Sequence, residues 1–361
     1  MARADGLTSQ PFGTLPDGTA VTEYSMTNAH DITVKFISLG GCITAIYTPD
    51  RNGHFANIAL GYHDLAGYNS PSTVATFFGG IIGRYANRIA KGTFTLDGMT
   101  YHLPINNGVN SLHGGTTGFN LEIWKVEPKT VKDGVAAVLT YTSPDGQDGY
   151  PGTLKMSVQY TLEDSNAFRI DYIATTDKPT VVNFTDHTYY NLRGNGTGSA
   201  LGQMVQINAD SYTPTNATQI PTGQIAPVAG TPMDFRRLTP IRARIRDNSE
   251  QLLLAHGYDH NWVLNKPEPG ALTFAAEAYS PASGRIMRVY TTEPGIQFYS
   301  GNYLVGTVLG SANNIYRQGD GYTLETQHFP DSPNHSNFPS TVLNPGQTFH
   351  STTIFKFSTD Q

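Results

Sequence analysis

Alternation of apolar and polar residues at a period of two constrains this chain more than any other feature. Ile32, Val34 and Phe36 alternate with Thr33 and Lys35, and Met156, Val158, Tyr160 and Leu162 alternate with polar partners. Phe168, Ile170 and Tyr172 repeat the pattern after the turn Glu163-Asp164-Ser165-Asn166. Successive side chains of a strand point to opposite faces, so these runs predict half-buried antiparallel strands. Asp97-Gly98, between Phe94-Thr95-Leu96 and Met99-Thr100-Tyr101, has the chemistry of a two-residue hairpin turn. Helical periodicity is scarce; short helical turns are expected near Asp64 to Tyr68 and Thr239 to Asp247. Turn signals run from end to end without a linker, charge block or internal repeat. The expected fold is all-β, a large antiparallel β-sandwich with few short helices, forming a single domain over residues 1–361.

Composition narrows the function. Charged residues make up only 14% and the net charge is −6, which argues against a nucleic-acid partner. Scattered aromatics in a weakly charged chain suit a neutral, hydroxyl-rich small molecule. The single Cys42 excludes an internal disulfide or a site built from several cysteines, and its apolar neighbours predict a buried, inert thiol. No apolar run is long enough to span a bilayer, and Met1-Ala2-Arg3-Ala4-Asp5 lacks the core of an export signal. A cytoplasmic chain, or a periplasmic or secreted one whose signal has been removed, would look the same.

Polar residues concentrate in a few segments. In G-R-Y-A-N-R-I-A-K-G (Gly83 to Gly92), Arg88 offers a planar fork for paired hydroxyls and Asn87 both donates and accepts; solvated cations at a turn would read alike. In N-S-L-H-G-G (Asn110 to Gly115), two glycines after His113 permit close approach of backbone or ligand, or else His113 only ties down a turn. The run from Val181 to Leu192 can be a strand with Asn183, Thr185, His187, Tyr189 and Asn191 on one face, either a solvated surface or a sugar-binding strip. On that register Asp186 points away from His187. Tyr258 to Trp262 sets Asp259 beside His260, with Trp262 as a possible aromatic plate against a sugar; taken alone, an Asx turn at a strand start is the better reading. Gln297, in Pro294 to Tyr303, is a candidate amide contact. Glu325 lies in an otherwise neutral strand, where an unpaired buried carboxylate is costly, so it faces solvent or serves chemistry. His328, Asp331 and His335 lack a strong metal-ligand spacing, and no metal is expected.

These segments, in this order from about Gly40 to Phe357, resemble the aldose 1-epimerase (galactose mutarotase) family. The matching motifs are the Gly83 to Gly92 segment, L-H-G-G, S-P-D-G-Q-D-G-Y-P-G, T-x-H-x-Y-x-N-L, Y-D-H-N, P-G-I-Q-F-Y-S-G-N and L-E-T-Q-H-F-P-D-S-P-N-H-x-x-F-P. The resemblance implies a β-supersandwich with an open sugar cleft, no cofactor, and exchange of α and β anomers of free aldohexoses. It implies Glu325 as general base, His187 as general acid and His113 assisting near the ring oxygen. Asn87, Arg88, Asp259 and Gln297 would hold hydroxyls. Thr323 and Tyr190 depart from the residues common in the family and are expected to adjust substrate fit. The expected partner is a monosaccharide met by a monomer or weak homodimer.

At ordinary pKa values Glu325 is ionised at neutral pH and His187 about one-quarter protonated. Three rivals remain: a hexose-6-phosphate 1-epimerase, a glycoside hydrolase using Asp259 and Glu325 as its carboxylate pair, and a non-catalytic carbohydrate-binding module.

Overall fold

The computed structural model describes residues 6–70 and 76–361. The leader argument concerns Met1 to Asp5, which lie outside them. Nine strands form the main antiparallel sheet, in the order Lys125–Lys129, Gly134–Ser143, Leu154–Glu163, Ala167–Thr176, Phe349–Thr359, Arg285–Thr291, Thr273–Tyr279, Met204–Ile207 and Thr239–Pro240. The C-terminal strand thus sits between elements more than a hundred residues apart. A five-stranded meander (Leu7–Thr14, Ala20–Thr27, Thr33–Ile37, Ile43–Pro49, Phe55–Asn57) packs on this sheet, where the Phe36 ring meets Tyr160 edge-on at 5.1 Å. Six strands make the third sheet, in the order Tyr189–Tyr190, Tyr322–Gln327, Gly295–Tyr299, Asp259–Val263, Ser211–Thr213 and Ala226–Pro227. One core cluster joins all three layers, from Val34 and Phe36 through Tyr160 and Phe168 to Phe298 and Leu324.

Local chemistry explains the elements the alternation predicts. Val158, Tyr160 and Leu162 are buried while Ser157 and Gln159 are partly exposed. Asp97 and Gly98 both have positive φ (51° and 77°), as a primed hairpin turn requires, and the turn brings Phe94 onto Tyr101 at 5.2 Å. Asp64 caps a short helix, Leu65–Asn69, by accepting from Gly67 N–H. Only a 3₁₀ turn, Ile241–Ala243, lies in the Thr239 to Asp247 region; the second helix is Glu250–Ala255, too short to print a period in the sequence. Cys42 is buried as expected, and burial pushes its thiol well up.

The run from Val181 to Leu192 is not one strand. It breaks into Thr180–Val181, paired with Val342–Leu343; Thr185–Asp186, paired with Ile81–Ile82; and Tyr189–Tyr190, paired with Tyr322 and Thr323. Every residue from 180 to 192 is buried, so no solvated strip exists there. Asn183 spends its amide on the carbonyls of Ala86 and His328, and Asn191 on those of Gly198 and Asp320. His187 occupies a break between segments. Its N–H donates to Gly80 and its carbonyl accepts from Gly79, fixing its backbone to the Gly79–Gly80 turn.

Candidate active site

Register in the six-stranded sheet builds one wall of the site. Glu325 lies directly opposite Gln297, and Gln297 opposite Asn261; one step along, Thr323 lies opposite Tyr299 and Tyr299 opposite Asp259. By strand parity these side chains share one face, while Leu324, Phe298 and Trp262 share the other. Gln297 Nε2 donates to Asp259 Oδ1 at 2.7 Å. Thr323 Oγ1 donates to Glu325 Oε1 at 2.7 Å. Arg88 Nη1 stands 3.7 Å from Asp259 Oδ2, and its Nε donates to Asn107 Oδ1.

Two histidines close the wall. His187 Nε2 is 3.6 Å from Glu325 Oε1, and its ring stands edge-on to His113 at 5.0 Å. The short pairing of Arg88–Ile89 with Ser111–Leu112 carries His113 to the loop that holds Asn87. His113 N–H donates to Asn87 O, and Asn87 N–H donates back to His113 Nδ1. An imidazole nitrogen that accepts a backbone N–H cannot itself carry a proton, so Nε2 is the protonated nitrogen of His113. Gly114 has φ 90°, and a Cβ there would lie 2.0 Å from Gly83 O. Gly114 therefore serves backbone approach, while a Cβ at Gly115 would meet the Asp148 side chain at 2.7 Å.

The donor atoms of His113, His187 and Glu325 all lie within 4.8 Å of one another, close enough to converge on one small object. Glu325 Oε2, His187 Nδ1 and Gln297 Oε1 are buried without a protein partner. Buried polar groups are seldom left so, and unmatched atoms on three neighbouring residues suit a ligand.

Burial sets the protonation. It raises Glu325 to about 8, reinforced by Asp259 and Asp186 and opposed by the Thr323 hydrogen bond and Arg88. His187 falls to about 4, again through burial. His113 lies well below the usual range because of burial, with His187 and Arg88 adding to the effect. Near neutral pH the Glu325–His187 pair thus holds one shared proton, resting on the carboxyl. This corrects the expectation of an ionised Glu325 beside a partly charged His187: desolvation, reinforced at Glu325 by Asp259 and Asp186, outweighs the Thr323 hydrogen bond and Arg88.

All seven expected site residues, Glu325, His187, His113, Asn87, Arg88, Asp259 and Gln297, come together here. Other candidates do not join them. Trp262 is fully buried on the apolar face, donating its indole N–H to Met233 O, and offers no plate to a sugar. Arg84 is locked onto the carbonyls of Ser143, Pro144, Pro151 and Gly152. His328 pairs with Glu293 and His335 with Asp331, so those residues form no common cluster. Asp186 accepts from the Thr188 N–H and hydroxyl, and the single-strand register on which it was expected to point away from His187 is not formed. Sequence reasoning missed Asn107, which orients Arg88, and Phe77, whose ring packs against His113 at 4.6 Å and His187 at 5.6 Å. The Gly-rich stretch around Asn106 and Gly108 was the only sign of the first.

Residues 22–356 match the family model described as Aldose 1-epimerase. Galactose mutarotase of Rattus norvegicus is 43% identical over 98% of both chains, and that of Homo sapiens 42% identical over the same shares. Aldose 1-epimerase of Escherichia coli is 36% identical over 95% of this chain and 96% of its own. Among solved structures, galactose 1-epimerase from Lactobacillus acidophilus superposes with a TM-score of 0.85 at 28% identity, covering 98% of this chain and 99% of its own.

Proposed function

The chain belongs to the aldose 1-epimerase family, and from that premise we propose that it interconverts the α and β anomers of free aldohexoses by proton transfers between Glu325, His187 and one pyranose ring. It is an isomerase, and its substrate is a sugar. Ring opening takes a proton off the C1 hydroxyl and puts one on the ring oxygen, breaking the C1–O5 bond. The freed aldehyde turns about C1–C2 and closes on its other face, reversing both transfers. Neither step changes an oxidation state, and the enzyme ends in its starting protonation.

Glu325 takes the C1 proton and His187 supplies the ring-oxygen proton. This requires the shared proton to stand on His187 with the carboxylate free. That arrangement holds the same number of protons as the resting pair, so no exchange with solvent is needed. His113, with its proton confined to Nε2, donates a hydrogen bond near the ring oxygen without giving up a charge. Arg88, Asp259, Asn87 and Gln297 hold the remaining hydroxyls, selecting the ring and orienting it. The observation that carries this reading is the 3.6 Å approach of His187 Nε2 to Glu325 Oε1 in a buried site with unpartnered polar atoms on both residues.

A phosphorylated hexose is disfavoured, because Arg88 is engaged by Asp259 and Asn107 and Arg84 by backbone carbonyls. Optical rotation or NMR of freshly dissolved α-glucose, α-galactose and xylose, with and without protein, tests the reaction. Faster approach to anomeric equilibrium is expected. An unchanged rate contradicts it, and release of reducing sugar from a glycoside would favour a hydrolase instead. Among the described residues no helix is long and apolar enough to cross a membrane; we take the working partner to be a monosaccharide alone.

A further inference from the structure

Thr323 precedes Glu325 by one strand period and lies on the same face. It is fully buried, and its backbone is paired opposite Tyr299 on one side and Tyr189 on the other. Its hydroxyl donates to Glu325 Oε1, the oxygen that also faces His187, while Oε2 has no protein partner. We propose that Thr323 is a positioning residue for anomer exchange: its hydroxyl anchors Oε1, favours the carboxylate, and leaves Oε2 as the oxygen that takes the C1 proton. This rests on Glu325 being the base.

The other groups facing Glu325 divide by sign. Asp259, two strands away across Gly295–Tyr299, and Asp186 beside His187 disfavour the charged form, as burial does; Arg88 favours it. Gln297 lies opposite but spends its amide N–H on Asp259. His113 and His187 are both pushed toward neutrality by burial. Thr323 is therefore the group whose hydrogen bond acts on the carboxylate directly. A donor to a carboxylate stabilises its charged form, and anchoring Oε1 also fixes the group's rotation.

Removing that donor has a distinctive consequence in a coupled pair. The reactive arrangement, carboxylate with imidazolium, and the fully deprotonated pair both lose the bond. The resting arrangement, with the proton on Glu325, loses only the weaker bond to a neutral carboxyl. The alkaline limb of the rate profile must then move up by the same factor by which the plateau falls, and the two profiles must converge above the limb. A packing defect would instead lower the rate by one factor at every pH.

Thr323→Val, nearly isosteric, is the test, with anomer exchange of α-galactose followed across pH after subtraction of the spontaneous rate. The expected result is a kcat about tenfold lower at pH 7, an alkaline limb about one unit higher, an unchanged KM and convergence at high pH, since one unit equals a tenfold change in the equilibrium. Thr323→Ser should restore both features. Three outcomes in folded protein overturn the role: an unchanged kcat at pH 7, an equal loss at all pH values, or a shifted limb with an undiminished plateau. Glu325→Gln, run alongside, separates the premises; substantial activity there removes Glu325 itself as the base, whatever Thr323 does.

Discussion

The two faces of the six-stranded sheet are buried to the same degree and do opposite work. Glu325, Gln297 and Asn261 on one face are as inaccessible as Leu324, Phe298 and Trp262 on the other. What separates these six side chains is satisfaction, although His260 on the apolar face also keeps a buried ring nitrogen unmatched. Trp262 gives its only donor to Met233 O and its ring to Phe298 and Phe235, whereas Glu325, Gln297 and Asn261 each keep a buried oxygen without a partner. Burial alone therefore marks neither core nor site. A face that leaves polar atoms unmatched sacrifices stability in the empty protein, which the proposed binding of a hydroxyl-bearing ring would recover.

Substitutions on either face should separate rate from stability, and the largest effects are expected at the proposed reactive pair. Glu325→Gln should lower kcat by on the order of 10²–10⁴ while leaving sugar binding measurable by calorimetry, because one positioned acid or base supplies about that factor. His187→Asn should lower kcat far more than it raises KM; a pure KM effect would remove it as the acid. On the opposite face, Phe298→Ala should destabilise the fold by about 3–5 kcal/mol through a core cavity. Urea unfolding would measure it, and kcat per folded molecule should stay within a few fold. A loss of kcat as large as that of Glu325→Gln would break the contrast. Arg88→Met gives the smallest of these effects, about a tenfold rise in KM with a modest fall in kcat, the equivalent of one charge-assisted hydrogen bond. By comparison Arg84→Met should act on unfolding alone, since Arg84 binds only protein groups.

How much of this was legible depends on what each residue faces. The strands around Val158 and Ile170 announced themselves because their second face is partly exposed, which writes alternation into the sequence. The segment from Thr180 to Leu192 is buried on every side and held in short pairs, so polar residues there line backbone gaps and do not form a strip. Asp259 and Trp262 are three residues apart in one strand and so on opposite faces; that parity excluded Trp262 as a sugar plate once the strand was known to begin at Asp259. Arg84 and Arg88 look equivalent in the motif. Only the chain's return through Pro144 and Gly152 on one side, and Asn107 on the other, decides their roles. The proposed site residues were picked out through their motifs; their protonation was not, because desolvation depends on depth that no single sequence carries.

The shared proton is the central claim, and the pH dependence of kcat for anomer exchange in the unmodified protein tests it most directly. His187 taking a second proton near about 4 and Glu325 losing the shared one near about 8 predict a bell whose limbs fall near those values, with the maximum between them. A rate that stays flat from acid to alkaline pH would contradict it.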